Sequence, residues 1–384
     1  MEQKYFQHIN NGSDKNSISF ELHDVDLSIV NSLRRIILSE IPNVAFLFKQ
    51  QDHLVDSDII FHKNDSALHN EIMAQRLSML PLCFSENEID GWNLGKINDY
   101  TFMIDVKNTS QNMMEITTEH FTIFDKDGNE MPSTFTKRIF PPNDITKDYI
   151  ILTKLPFVTE QGNTTPSFKV EAKAQKGISK DCTAFCPVST CTFFNTIDDD
   201  KVEAKKKELI KDKSPQDAKQ IISDFMSLDY ERCFKTNKYD EPNSFTMSIT
   251  SECALSAEYI FAKACEILIE TMKLIADEFK SQTSNIIEMQ PLNDTPNFYL
   301  IIIKGYTHTL GNVVQSLLMN MYVRDKQEVD YIGYSVPHPL ENTVVFKIKF
   351  TNDVDMVEVK KFMSVAILEM VEIVQDIYME WKKI

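Results

Sequence analysis

The sequence predicts an α+β fold: two related dimerisation units form an intramolecular pseudo-dimer, and a mostly β domain is inserted into the first. Three observations carry that expectation. A strand followed by an amphipathic helix at Phe20–Pro42 recurs at Leu300–Tyr322; a long helix with apolar positions alternating at three and four residues closes each copy; and a strand-rich segment of different pattern interrupts the first. On this reading residues 1–48 open the first unit, 49–163 are the inserted β-rich domain, 164–280 complete the first unit, and 281–384 form the second.

The composition allows a large core. The chain has 384 residues, 42% hydrophobic and 25% charged, which is ordinary globular usage. Its formal net charge of −17 speaks against direct nucleic-acid binding, which depends on neutralising phosphates with Lys and Arg. Apolar runs such as Tyr299–Ile303 are far shorter than a membrane helix needs. The polar start, MEQKYFQHINNGSDKNS, and seven cysteines read as free thiols lead us to expect a reducing, intracellular setting. With nine glycines there is no GxGxxG, no GxxxxGK[ST] and no GxSxG.

Taken in order, residues 17–22 alternate as a half-buried strand, and Asp24 and Asp26 offer cap oxygens to the following helix. That helix carries an apolar stripe through Ile29, Val30, Leu33, Ile36 and Ile37, and Pro42 ends it near Ser39–Ile41. Residues 64–82 predict a shorter helix, capped by Asp65 or Ser66, with Leu68, Ile72 and Leu77 as its stripe. From about 97 to 153 strands dominate, with Asp127-Gly128 as a hairpin turn. The charged run at 198–213 reads equally as a solvated helix or a disordered loop. A long helix at about 254–279 then places Phe261, Cys265, Leu268, Met272, Ile275 and Phe279 on a coiled-coil seam. In the second copy the helix 310–321 carries Leu310, Val313, Val314, Leu317 and Leu318, and the last helix, 354–382, carries Met363, Met370, Ile373 and Ile377. Setting Asn31 opposite Asn312, an offset of 281 residues, aligns the stripes of the two copies, as expected of units whose apolar faces only a twin can cover.

Several groups invite a chemical role. His308 has no Cys, His or carboxylate at metal spacing, so local capping by Thr307 or Thr309 is expected, with Gly311 permitting a close approach. Cys182, Cys186 and Cys191 lack a fourth ligand and read as buried thiols; Asp125–Glu130 has its glycine too early for a calcium loop and reads as a turn. Neither a metal nor a catalytic group is expected.

The motifs also carry a resemblance. NSLRRIILSEIP (31–42) resembles the first helix of the α-like subunits of cellular RNA polymerases, namely the bacterial α N-terminal domain and the third-largest subunit of eukaryotic polymerase II. DSALHNEIMAQRLSMLPL (65–82) and KAQKGISKDCTAFCPV (173–188) resemble two further signatures of that subunit, in the same order. YTHTLGNVVQSLL (306–318) and YIGYSVPHPLENTVVFKI (331–348) look like the eleventh subunit, its small partner. The resemblance covers nearly the whole chain, leaving 85–165 and 196–240 unmatched in detail. Both partners in one polypeptide is similar to the α-like subunit of large cytoplasmic DNA viruses of the asfarvirus group, and the Asn, Lys and Ile richness suits an AT-rich genome. One departure is clear: the family's four-cysteine zinc loop has no counterpart, since residues 84–181 contain no cysteine.

The resemblance implies a non-catalytic assembly subunit with no cofactor. Its two α-subunit-like units would pair and recruit two large catalytic subunits, together with small subunits of the tenth and twelfth type. It further implies no direct nucleic-acid or membrane contact, no homo-oligomer, and work in the virion and host cytoplasm. The polymerase motif NADFDGD is absent, which disfavours a nucleotidyl-transfer enzyme; a stand-alone binding scaffold is the alternative. Contacts with partners are expected at Asn31, Arg34, Arg35, Glu40 and Arg76, and at His308, Asn312 and His338.

Overall fold

The computed structural model describes residues 4–12, 16–51, 54–95, 97–158, 165–211, 213–252, 254–281, 284–292 and 295–384. The chain forms two compact units. Unit 1 gathers Met1–Ile37, Thr190–Ile249 and Phe261–Ile384; unit 2 gathers Leu38–Ser189 and Thr250–Ile260.

Unit 1 contains nearly all of the repeat. Its first half is a four-stranded sheet in the order Phe6–Asn11, Ser17–His23, Ser244–Ser251, Val188–Asn195. The second half repeats it as Ile287–Pro291, Phe298–Lys304, Thr343–Phe350, Val329–Ser335. In each, a docking helix follows the second strand of that order (Leu27–Ser39; His308–Leu318), and a seam helix follows the third, which is the last in the chain (Ala257–Lys280; Met356–Trp381). The offset of 281 holds through the second strands and the starts of both docking helices. Even the strand-to-helix corner repeats, with positive φ at Asp24 (52°) and at Gly305 (86°). The seam helices end both halves as the three-four alternation predicts, and Phe261, Cys265, Leu268, Met272, Ile275 and Phe279 are all buried. On the last helix Met363, Met370 and Ile377 are buried, but Ile373 is only half-buried and Val374 takes the inner position. The buried stripe there shifts by one residue after Met370, from the expected Ile373 to Val374.

Three contacts between the seam helices set their direction. Ser364 Oγ donates to the Ala276 carbonyl at 2.9 Å, Tyr378 Oη donates to Glu266, and Trp381 meets Phe261 at 4.6 Å between centroids. Positions rising on one helix fall on the other, so the two run antiparallel. At the end of this pair Phe6, Phe20, Phe261 and Trp381 form a cluster in which every ring touches every other at 4.6–5.9 Å. Two strands of the first half are thereby joined to both seam helices, and Glu380 accepts from the backbone N–H groups of Tyr5 (2.8 Å) and Phe6 (3.1 Å) beside it.

Unit 2 is built on a sheet ordered Pro42–Phe46, Ser167–Ile178, Ile97–Lys107, Thr122–Phe124, with Ile59–Asn64 also paired to the long strand 167–178. That long strand, assigned from sequence to the completion of the first dimerisation unit, pairs within this sheet. Gly177 on it is required, because a Cβ there would lie 2.5 Å from the Phe185 ring. The buried ammonium of Lys176 donates to the carbonyls of Ile89 (2.6 Å) and Trp92 (2.9 Å). The helix expected to be capped by Asp65 or Ser66 begins later, at Asn70, and buries Met73, Ala74 and Leu77 while Ile72 is exposed. Its would-be caps are engaged elsewhere: Asp65 accepts from Ser167 N at 2.9 Å, and Asn64 holds Ser66 N at 3.0 Å in a local turn.

Two outcomes follow. Trp381→Ala removes the ring that touches the other three and lowers unfolding free energy by about 3–5 kcal/mol, read by urea denaturation. In unit 2, Arg138 bonds both oxygens of Glu88 at 2.8 Å, and this pairing, with help from Ser85, holds the Glu88 carboxyl down from 4.5 to about 2. Because the folded value lies below the unfolded one, the contribution is complete above about pH 4.5 and is lost as pH falls towards 2. Both side chains are partly exposed (30% for Glu88, 42% for Arg138), so screening limits it to on the order of 1 kcal/mol. The stability gap between the wild type and Glu88→Gln therefore narrows below about pH 5 and closes as pH falls through about 2 in urea titrations.

Candidate pairing interface

The two docking helices of unit 1 meet start to middle. Ser32 Oγ donates to the Thr309 carbonyl at 3.0 Å, and Arg35 Nε donates to Thr309 Oγ1 at 2.8 Å. Reciprocally, Ser316 Oγ (3.0 Å) and Asn320 Nδ2 (2.9 Å) donate to the Asp26 carboxylate, which also accepts from Ser28 N at 2.8 Å as the cap of the first docking helix. Each helix start thus lies against the later turns of the other, the reciprocity of a two-fold interface. The positive end of a helix dipole also favours a carboxylate at Asp26. Around these bonds Ile29, Val30, Leu33, Ile36 and Ile37 on one helix, and Leu310, Val313, Val314, Leu317 and Leu318 on the other, are all buried. Gly311 lets the sheet come close, since a Cβ would stand 2.6 Å from the Tyr334 ring and 3.0 Å from Val344.

The residues assigned to outside partners divide. Arg35, expected to face another protein, reaches Thr309 within this interface. Arg34 lies along its own helix, donating to Asn31 Oδ1 at 3.0 and 3.1 Å, and both are half-buried. Asn312 lines a cleft of about 410 Å³ with Asp24, Asp26, Glu241 and Asn320. His308 and His338 are exposed: the first lies 3.3 Å from the Tyr334 hydroxyl, and the second accepts from Leu340 N at 3.2 Å in the turn between its prolines. In unit 2 Glu40 is half-buried, and Arg76 is exposed with a bond to the Ile151 carbonyl at 3.1 Å.

Capping of the second docking helix differs from expectation. Thr307 holds the cap position, but its side chain makes no capping bond, and the hydroxyl of Thr309 is taken by Arg35. The three cysteines divide between the units as well. Cys191 is buried in unit 1, whereas Cys182 and Cys186 in unit 2 are half-buried with weak bonds to backbone carbonyls. Among the described residues no group of His, Cys, Asp and Glu could hold a metal ion, and no helix is long and apolar enough to cross a membrane.

Sequence reasoning missed a polar contact between the halves. After Leu318 the second docking helix winds into a wider π-helix, Met319–Asp325. Arg324 there bonds both oxygens of Glu241 at 2.7–2.8 Å and lies 4.6 Å over the Tyr239 ring, while Lys238 and Tyr239 both reach Asp325 at 2.6 Å. The Arg324 guanidinium holds the Glu241 carboxyl below its ordinary range. Clustering of opposite charge at 238–241 and 324–325 was the available signal.

A family model described as the RNA polymerase Rpb3/Rpb11 dimerisation domain matches residues 19–272, and a second of the same description matches 299–376. Similar proteins include the DNA-directed RNA polymerases IV and V subunit 3B of Arabidopsis thaliana, 28% identical over 184 residues, covering 45% of this chain and 52% of that protein. The DNA-directed RNA polymerase subunit Rpo3 of Pyrococcus furiosus is 38% identical over 95 residues, covering 24% and 31%. A probable DNA-directed RNA polymerases I and III subunit RPAC2 of Caenorhabditis briggsae is 31% identical over 88 residues, covering 22% and 57%. The chain spans about half the length, or less, of the curated relatives it matches.

The interface makes a direct demand. Leu33 is fully buried and Leu317 is 5% exposed. Leu33→Glu or Leu317→Glu places an unpaired carboxylate in this packing and costs about 4 kcal/mol or more. The check is a urea midpoint that falls far more than for a charge placed at exposed Val357.

Proposed function

The chain belongs to the RNA polymerase Rpb3/Rpb11 dimerisation-domain family, and from that premise we propose that it is a non-catalytic assembly subunit of a multi-subunit DNA-directed RNA polymerase. The observation that carries the reading is that one polypeptide holds both matched halves, folded on the same strand order and paired through their docking helices. A two-fold pairing of this kind presents a platform, and the work of the platform is to gather other chains. Chemistry then resides in two large catalytic subunits, consistent with a sequence that lacks the polymerase aspartate motif. Exposed His338, exposed Arg76 and half-buried Arg34 are the residues we assign to those partners, and small subunits of the tenth and twelfth type complete the set.

Fusion adds a physical advantage. A tether converts the meeting of two free chains into an intramolecular step at roughly millimolar effective concentration and fixes their stoichiometry at one to one. The fusion, together with the Asn, Lys and Ile richness, supports extending the proposal to an α-like subunit of a large cytoplasmic DNA virus, acting in the host cytoplasm and carried in the virion.

Affinity purification of the tagged full chain from cells that naturally contain it tests the proposal. Two polymerase-sized partners bearing the NADFDGD motif and its companion are expected, in equal amounts with the tagged chain. Recovery of the chain free of any large polymerase subunit overturns the assembly reading and leaves a stand-alone scaffold.

A further inference from the structure

The segment 196–243 of unit 1, which the repeat does not require, is folded and tied to the opposite half. Two helices, Asp199–Leu209 and Pro215–Leu228, enclose a small core of Val202, Phe225 and Cys233 with Ile197 and Tyr230 packed on it. The chain then makes a stiff hairpin. Ile197 bridges Phe234, Thr236 bridges Pro242, and Asn237 Oδ1 accepts from the N–H groups of Tyr239 (2.8 Å) and Glu241 (3.1 Å). Its base is fixed to the start of the first docking helix, with Asn243 Nδ2 donating to Asp24 at 3.0 Å and Val25 N donating to the Asn243 carbonyl at 3.2 Å. The hairpin therefore offers Lys238, Tyr239 and Glu241 in a fixed arrangement to Arg324 and Asp325 of the second half.

We infer that this hairpin is a specificity latch: Glu241 and Arg324 select the pairing of the first half with the second and reject the pairing of either half with its own kind. The reason lies in an asymmetry superimposed on the repeat. In the second half the connection between the third and fourth strands is the short turn 336–342, with no counterpart of the hairpin. In the first half the docking helix stops at Ser39 and the chain enters the strand Pro42–Phe46, with no arginine following it. Two first halves paired together leave both Glu241 carboxylates without a guanidinium, and two second halves leave both Arg324 side chains without a carboxylate.

The remaining interface discriminates weakly. Its apolar stripes are alike in both halves, and Asp26 of one first half would find Arg35 of another at the position that Ser316 occupies, a favourable mispair by charge. Selection beyond what the tether supplies thus needs an element that only the correct pair completes. The latch meets this need through bidentate geometry, through Asn320, which accepts from Arg324 (2.8 Å) while donating to Asp26, and through Tyr239 under the guanidinium.

The test uses the full chain carrying a protease site after Ser281, cut once folded, so that the two halves are held by non-covalent contacts alone. Fragment exchange between isotopically distinct copies, read by native mass spectrometry, reports both dissociation and like-with-like pairs. We expect E241R or R324E to raise the exchange rate at least ~30-fold and to produce first-half or second-half homo-pairs. The double exchange E241R/R324E is expected to return the rate to within ~3-fold of the wild type and to remove those pairs. Single variants that exchange within twofold of wild type, or a double variant no better than the worse single one, overturn the latch. Should a single variant fail to fold, the double variant decides alone: if it also fails, the proposal is wrong. The readout is independent of whether polymerase subunits copurify, so this inference and the assembly reading stand or fall separately.

Discussion

The start of each docking helix in unit 1 is bonded to the other helix, and the organisation of that unit depends on this exchange. A helix start carries unsatisfied N–H groups and a positive dipole end. At Asp26 a carboxylate answers both and then recruits Ser316 and Asn320 from the opposite half; at Thr309 the carbonyl and hydroxyl are taken by Ser32 and Arg35. Because these cross-helix bonds form only in the crossed arrangement, the apolar stripes between them are fixed in register. Pure hydrophobic burial would not achieve that, since it is non-directional and tolerates sliding.

The seam helices supply the second constraint in a different currency. They close the pair through packing of large rings, with Trp381 inserted among Phe6, Phe20 and Phe261, and through one buried hydroxyl, Ser364, that finds the Ala276 carbonyl. The matching thiol in the first half, Cys265, is fully enclosed, and burial pushes it far above its ordinary range, so it remains a neutral, inert filler. Directional bonds at the docking helices and bulk at the seam together define one pairing geometry.

What could be read from the sequence divides by the range of the interactions. The docking and seam helices were legible because a stripe at 3.6 spacing is a local pattern, and the offset of 281 followed from aligning Asn31 with Asn312. The four-ring cluster was not. Phe6 and Phe20 alternate like any half-buried strand residues, and nothing local says that a tryptophan 361 positions beyond Phe20 will meet them, although continuing the seam past Ile377 leads to Trp381. The bond from Arg35 to Thr309 was hidden for a related reason: a guanidinium on a helix looks the same in sequence whichever element it reaches. The start at Asn70 was lost because Asp65 had a distant use, bonding Ser167, that competes with capping.

The segment 196–243 shows how an asymmetric purpose is written over a symmetric fold. Its charge made it look like a solvated excursion, and its two helices do expose most of their residues, burying Val202 and Phe225 alone. A core that small cannot be expected to hold a segment rigid unaided. Rigidity comes instead from the ends, where the backbone bridges at Ile197 and Thr236 and the bond from Asn243 to Asp24 return the chain to the docking helix. The same Asp24–Asp26 corner thus serves three partners: its own helix start, the later turns of the opposite docking helix, and the base of the hairpin. A substitution at that corner acts on pairing geometry and on pairing choice together, whereas Glu241 and Arg324 act on choice through a contact that reaches the corner by way of Asn320.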